Sequence, residues 1–187
     1  MIKKIADGVW KCSAGSNVYF LDFDEKIVID TGKRSESHIL KQFLGKVIDF
    51  DEVQKVVFTH FHHDHIGNFD LFKNAGLFAS RDEIDSFRKD PSGTVLRDDI
   101  AEKFMAAELK PIENLPGLEA ISTPGHTRGS ICLWYPKERI LFSGDTLFHN
   151  RHVGRTDLAT SVPEKMQESL NLLTKYNFRI LCPGHDY

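Results

Sequence analysis

The chain has 187 residues, 41% of them hydrophobic and 27% charged, with a formal net charge of −3 at neutral pH. That length can bury a core of its own, and the balance is that of an ordinary globular protein rather than a disordered tail. No run approaches eighteen apolar residues, which argues against a membrane-spanning helix, and the acidic balance offers nucleic acid no general electrostatic attraction. The opening residues, Met1 to Gly8, run into charge before any apolar region builds up, so no signal peptide is expected. Cys12, Cys132 and Cys182 are too few and too scattered for a disulfide framework. We expect buried, reduced thiols in a cytoplasmic protein of one domain spanning 1–187, with no linker or low-complexity segment.

The first thirty residues read as strands at 8–11, 16–23 and 26–29, the last two joined by a tight turn at Asp24-Glu25. Residues 35–50 then place Ile39, Leu40, Phe43, Leu44 and Val47 on one helical face. A short buried strand over 53–59 follows, and Asp64 is placed to cap a short helix after it. Residues 77–80 read as a strand, and Ser80-Arg81-Asp82-Glu83 fits a capping box. The polar stretch 81–116, broken at Asp90-Pro91-Ser92-Gly93, predicts two short helices on the outside or over a site mouth. Strands at 118–122, 130–135 and 139–142 come next, then a helix over 163–176 with Pro163 in its first turn, and a last strand at 178–182.

Four segments carry candidate metal ligands. The first is Thr59-His60-Phe61-His62-His63-Asp64-His65-Ile66-Gly67, directly after an apolar strand. The others are Pro124-Gly125-His126, Gly144-Asp145-Thr146 and Pro183-Gly184-His185, each in a Gly-containing turn. In an extended segment residues two apart share a side, so His60 and His62 can approach one ion while Phe61 points into packing. Asp64 and His65, past the turn, can address a second ion, and Asp145 is a suitable bridging carboxylate. A structural explanation is hard to find for three imidazoles and a carboxylate so close together beside a buried strand. Imidazole nitrogens with a few carboxylate oxygens suit Zn²⁺, and also Fe or Mn. Water between two such cations becomes hydroxide near neutral pH. His63 reads as a solvated or supporting residue and His38 as structural. His149 and His152 are open between substrate contact and plain exposure.

These residues resemble the metallo-β-lactamase fold superfamily of hydrolases, whose H-x-H-x-D-H hallmark stands here as His60 to His65. The resemblance runs through the whole chain in order and includes Asp30 in Val28-Ile29-Asp30-Thr31-Gly32, which matches an early aspartate that supports the histidine loop. It implies an α+β fold, a four-layer αββα sandwich with the site at one edge. It further implies one metal position from His60, His62 and His126, a second from Asp64, His65 and His185, and Asp145 shared.

Residues 123–130 and 153–158 resemble the glyoxalase II branch, the hydroxyacylglutathione hydrolases, which cleave a thioester. Longer members of that branch complete the glutathione site with a C-terminal helical domain, and this chain stops at Tyr187, which leaves the thiol carrier open. The expectation is therefore a dinuclear hydrolase of a small thioester. In it, metal-bound hydroxide attacks the carbonyl, Asp64 orients the nucleophile, and Arg155 and Tyr187 are the candidates to meet the substrate, with a loop-organising pair between Arg155 and Asp157 as the other reading of that arginine. Two other activities on the same scaffold are kept. One is a mononuclear iron persulfide dioxygenase, similar around Gly154-Arg155-Thr156-Asp157. The other is a nucleic-acid phosphodiesterase, similar around Ile66-Gly67-Asn68, which would need a local basic groove from Lys137, Arg139, Arg151 and Arg155. Oligomeric state is not legible.

Overall fold

The structure is a computed structural model that describes residues 2–186. Seven strands form one sheet in the order β1 to β7: Ile2–Ala6, Val9–Ala14, Ser16–Asp22, Lys26–Ile29, Lys55–Val57, Gly76–Ala79 and Leu109–Pro111. The first four pair antiparallel, and β4 through β7 pair parallel. A second sheet orders β11 (Ile180–Pro183), β10 (Ile140–Gly144), β9 (Ile131–Tyr135) and β8 (Glu119–Ser122). In it, β10 and β11 run parallel, while β9 is antiparallel to both its neighbours.

The layering follows from the two-residue period of the strands. Tyr19, Leu21, Ile27, Ile29 and Val57 pack with Ile131, Leu133, Ile140 and Phe142, so one core lies between the sheets. The alternate residues Val18, Phe20, Val28 and Val56 face outward. They meet Leu40 of α1 (Ser37–Phe43), Ile84 and Phe87 of α3 (Arg81–Lys89), and Ile100 and Phe104 of α5 (Asp98–Phe104). On the far side, Ile121, Cys132 and Leu141 pack with Leu173 of α6 (Pro163–Leu173). The result is an α+β four-layer αββα sandwich, as expected.

Local differences from the sequence reading have physical causes. The helix expected over 35–50 is a regular α-helix only through Phe43; a 3₁₀ turn follows at Leu44–Lys46, around Gly45. Residues 81–116 hold three helices, α3, α4 (Pro91–Val95) and α5, and then β7. Both β7 and β1 are edge strands whose partners, not their own patterns, make them extended. The short helix α2 (His63–Ile66) is preceded by His62 as its cap residue, and Asp64 lies in its first turn rather than capping it. Cys12, Cys132 and Cys182 are buried and unpaired, and burial pushes the Cys182 thiol up to about 12. No described helix is long and apolar enough to cross a membrane.

Because β5 and β4 are parallel, and β8, β10 and β11 point the same way, the segments after all five strands gather at one edge. Backbone bonds lock them there. Ile131 N donates to Thr59 O across the two sheets (3.0 Å), and Gly184 N donates to Gly144 O (2.7 Å). Phe61 is fully buried, with its ring 5.0 Å from Phe104 and 5.7 Å from Phe58 and Phe87. Burying such a ring contributes roughly 2–3 kcal/mol, and it holds His60 and His62 on the opposite side.

Candidate metal centre

Three sets of potential ligands converge at this edge: His60, His62 and His126; His60, His65 and Asp145; and Asp64, His65 and His185. Within each set the ligand atoms lie within 4.8 Å of one another. His60 Nε2 is 3.1 Å and His126 Nε2 is 2.9 Å from His62 Nδ1. On the other side, His65 Nε2 is 3.3 Å from His185 Nε2, which is 3.3 Å from Asp64 Oδ2. Asp145 stands between: Oδ1 is 3.4 Å from His65, and Oδ2 is 3.5 and 3.6 Å from His126 and His185.

The surrounding hydrogen bonds decide which nitrogens keep their protons. Thr59 Oγ1 donates its one hydrogen to Asp30 Oδ2 (2.8 Å), so at 3.1 Å it accepts from His60 Nδ1. His65 Nδ1 donates to the same Asp30 oxygen at 2.8 Å, and His126 Nδ1 donates to the Arg155 carbonyl at 2.7 Å. With Nδ1 protonated, the neutral His60 and His126 rings turn their Nε2 lone pairs inward, and His65 likewise presents Nε2 to the site. Even a protonated His62 Nδ1 can donate to only one of the His60 and His126 Nε2 atoms, whereas a cation among the three nitrogens satisfies them all. An N···N edge of about 3.3 Å is what tetrahedral zinc with Zn–N near 2.05 Å would demand. A carboxylate oxygen makes the same point: Asp145 Oδ1 is buried with no hydrogen-bond partner. The residues present therefore fit divalent metal.

Electrostatics agree. Burial and the neighbouring imidazoles push His60 far below the usual histidine value, and burial chiefly lowers His62, to about 3, and His126 as well. These rings are neutral, the form a cation requires. For His65 burial acts against the charged form, but Asp145 and Asp30 outweigh it and raise the ring. Burial likewise opposes ionisation of Asp64 and Asp145, yet the histidines around them hold both carboxyls below the ordinary range.

The other expected residues are placed as follows. Arg155 lines the cavity over the site, but its guanidinium is exposed and held by Asp157 in two 2.9 Å bonds. Its carbonyl, not its charge, meets His126. Tyr187 lies outside the described residues. His63 and His152 line the same cavity.

Glu83 is the residue the sequence reading undervalued. Ser80 caps α3 by accepting from Glu83 N (3.1 Å), as a capping box predicts. The Glu83 side chain does not return to Ser80. It is buried and accepts from Phe61 N (2.8 Å), Thr127 Oγ1 (2.8 Å) and Gly129 N (3.1 Å). It thus ties the His60–His62 segment to the His126 loop, and the capping box was the only local hint of it.

A family model described as the metallo-beta-lactamase superfamily matches residues 14–84 and 108–185. A probable metallo-hydrolase of Streptococcus pyogenes is 31% identical over 92% of this chain and 79% of its own length. The chain belongs to the metallo-beta-lactamase superfamily. A hydroxyacylglutathione hydrolase of Bartonella quintana is 32% identical over 72% of this chain, which spans about half (49%) of that relative. A solved structure in a di-iron-bound form matches with a TM-score of 0.70 at 24% identity, over 92% of this chain and 88% of its own.

Proposed function

We propose that the chain is a dinuclear metal hydrolase acting on a small thioester, in the manner of glyoxalase II. The observation that carries the reading is the convergence of two sets of ligand atoms on either side of Asp145. His60, His62 and His126 would hold one ion, and Asp64, His65 and His185 a second, with Asp145 shared. Zn²⁺ is the preferred metal, with Fe or Mn as other occupants of the same donor set.

When bound, two such ions lower the pKa of water and polarise a carbonyl. The protein's own part is orientation. Asp64 lines the cavity, and its carboxylate can accept a hydrogen bond from the attacking nucleophile and aim it at the thioester carbon. Asp30 and the Arg155 carbonyl keep the His65 and His126 rings turned. A thiolate leaves readily, so no dedicated general acid is needed. A second full ligand set argues for the two-ion hydrolase over a mononuclear dioxygenase. Unpaired cysteines accord with a cytoplasmic setting.

The test is elemental analysis of protein purified without added metal or chelator, followed by release of free thiol from a panel of thioesters. About two ions per chain with thiol release supports the proposal. About one iron, with oxygen uptake on a persulfide and no thioester cleavage, replaces it with the dioxygenase.

A further inference from the structure

Over the metal ligands lies a cavity of about 460 Å³. One wall is the ligand set; the other is Leu96, Phe148, Val153 and Leu158. Among the described residues three large hydrophobics are exposed: Leu96 (37%), Val153 (38%) and Met105 (57%). Two of the three therefore stand on the rim of one cavity, and apolar surface at such a place marks a binding face.

Leu96 carries a second cost. It caps the C-terminus of α4 with φ +61° and ψ +22°, in the left-handed region where a glycine or asparagine is cheaper than leucine. A leucine that is both strained and solvated is poorly explained by folding. It also lies in 85–107, the stretch between the two segments that the family model matches.

Charge narrows the ligand further. Arg155 is the one lysine or arginine among the described residues lining the cavity, and Asp157 already holds it. A phosphodiester, or a peptide bearing carboxylates, would meet no unpaired permanent cation on this rim. A neutral aliphatic chain would meet four apolar side chains.

We propose that Leu96, Val153, Phe148 and Leu158 form a subsite for the aliphatic chain of the substrate's acyl group. The proposal rests on the hydrolase reading for its carbonyl, but the chain subsite can be measured without catalysis. Straight-chain carboxylates from acetate to octanoate would be titrated calorimetrically into the zinc-loaded protein. Affinity should climb about two- to fourfold per methylene, the partly to fully buried range. The slope should flatten in a Leu96→Asn/Val153→Ser double variant and persist in Met105→Ser, which lies away from the cavity. Asparagine tolerates the left-handed position, so melting curves of the double variant should show an intact fold.

Affinity independent of chain length, or a slope unchanged in the double variant, overturns the subsite. The matching acyl thioesters, tested in parallel, separate the two readings. A chain-length slope in binding with no thioester cleaved leaves the subsite standing and removes the hydrolase. Cleavage with no slope in binding does the reverse.

Discussion

Asp30 shows how much one buried side chain organises. It is 1% exposed, has φ +56°, and accepts from Thr59 N, Thr59 Oγ1 and His65 Nδ1, each at 2.8 Å. A non-glycine residue in that conformation costs roughly 1–2 kcal/mol, and the three bonds hold it there. Through them it sets the proton positions of two candidate ligands, His65 directly and His60 by way of Thr59. Asp30→Asn keeps the shape but weakens both settings. Metal affinity should fall by about 10- to 100-fold, measured by competition against a chromophoric chelator, with the far-UV circular dichroism unchanged. An unaltered affinity would show that the rings are oriented by packing alone.

At the scale of elements the question is what joins α3, the histidine segment after β5, and the loop after β8. Glu83 does so, with three acceptor bonds to backbone and hydroxyl donors. Glu83→Ala would strand two buried N–H groups and should cost about 2–4 kcal/mol, or about 5–15 °C in Tm for a chain of this size. The pH dependence has a definite sign. Burial raises the Glu83 carboxyl above its ordinary value of 4.5 despite its three donors. The folded chain thus holds this proton more tightly than the unfolded chain. The associated stability is complete below the unfolded pKa and declines as pH rises through the raised one. Glu83→Gln cannot titrate. The Tm advantage of the native protein over that variant should therefore narrow as pH rises above 4.5, and a gap that widened would contradict the assignment. Close approach matters at the same scale. At Gly184, a Cβ would run into Asp145 Oδ1 and His65 Cε1. Gly184→Ala should then reduce the bound metal to fewer than two ions per chain, read by elemental analysis.

For the molecule as a whole, the candidate ligands come from both sheets. His60, His62, Asp64 and His65 follow β5 of the large sheet, while His126, Asp145 and His185 follow β8, β10 and β11 of the small one. Metal held by both groups cross-links the sandwich. A ligand at 100 times its Kd adds about 2.7 kcal/mol to stability, which for this length is about 5–10 °C in Tm. Chelation should lower the melting temperature by that much and readdition of zinc restore it. No change would mean that the folded chain binds no metal in preference to the unfolded one.

Much of the site was legible along the chain because its residues are local. His60 to His65 stand within one six-residue run, and Pro-Gly-His and Gly-Asp turns carry their own backbone signals. The strands of the inner core were legible for the same reason, since alternation is a property of neighbours. Edge strands β1 and β7 were not, because pairing partners and not their own pattern hold them extended. The third helix in 81–116 was equally silent. Nor could sequence tell that Glu83 would leave its capping box for Phe61, Thr127 and Gly129, that Arg155 would serve by its carbonyl, or that Leu96 would sit left-handed on the cavity rim. The sequence by itself determined which ligand atoms exist and the turns that present them. Only the tertiary structure decided which atoms face one another and which protons point away. Those depend on contacts between residues as far apart in the chain as Asp64 and His185, and no local period encodes them.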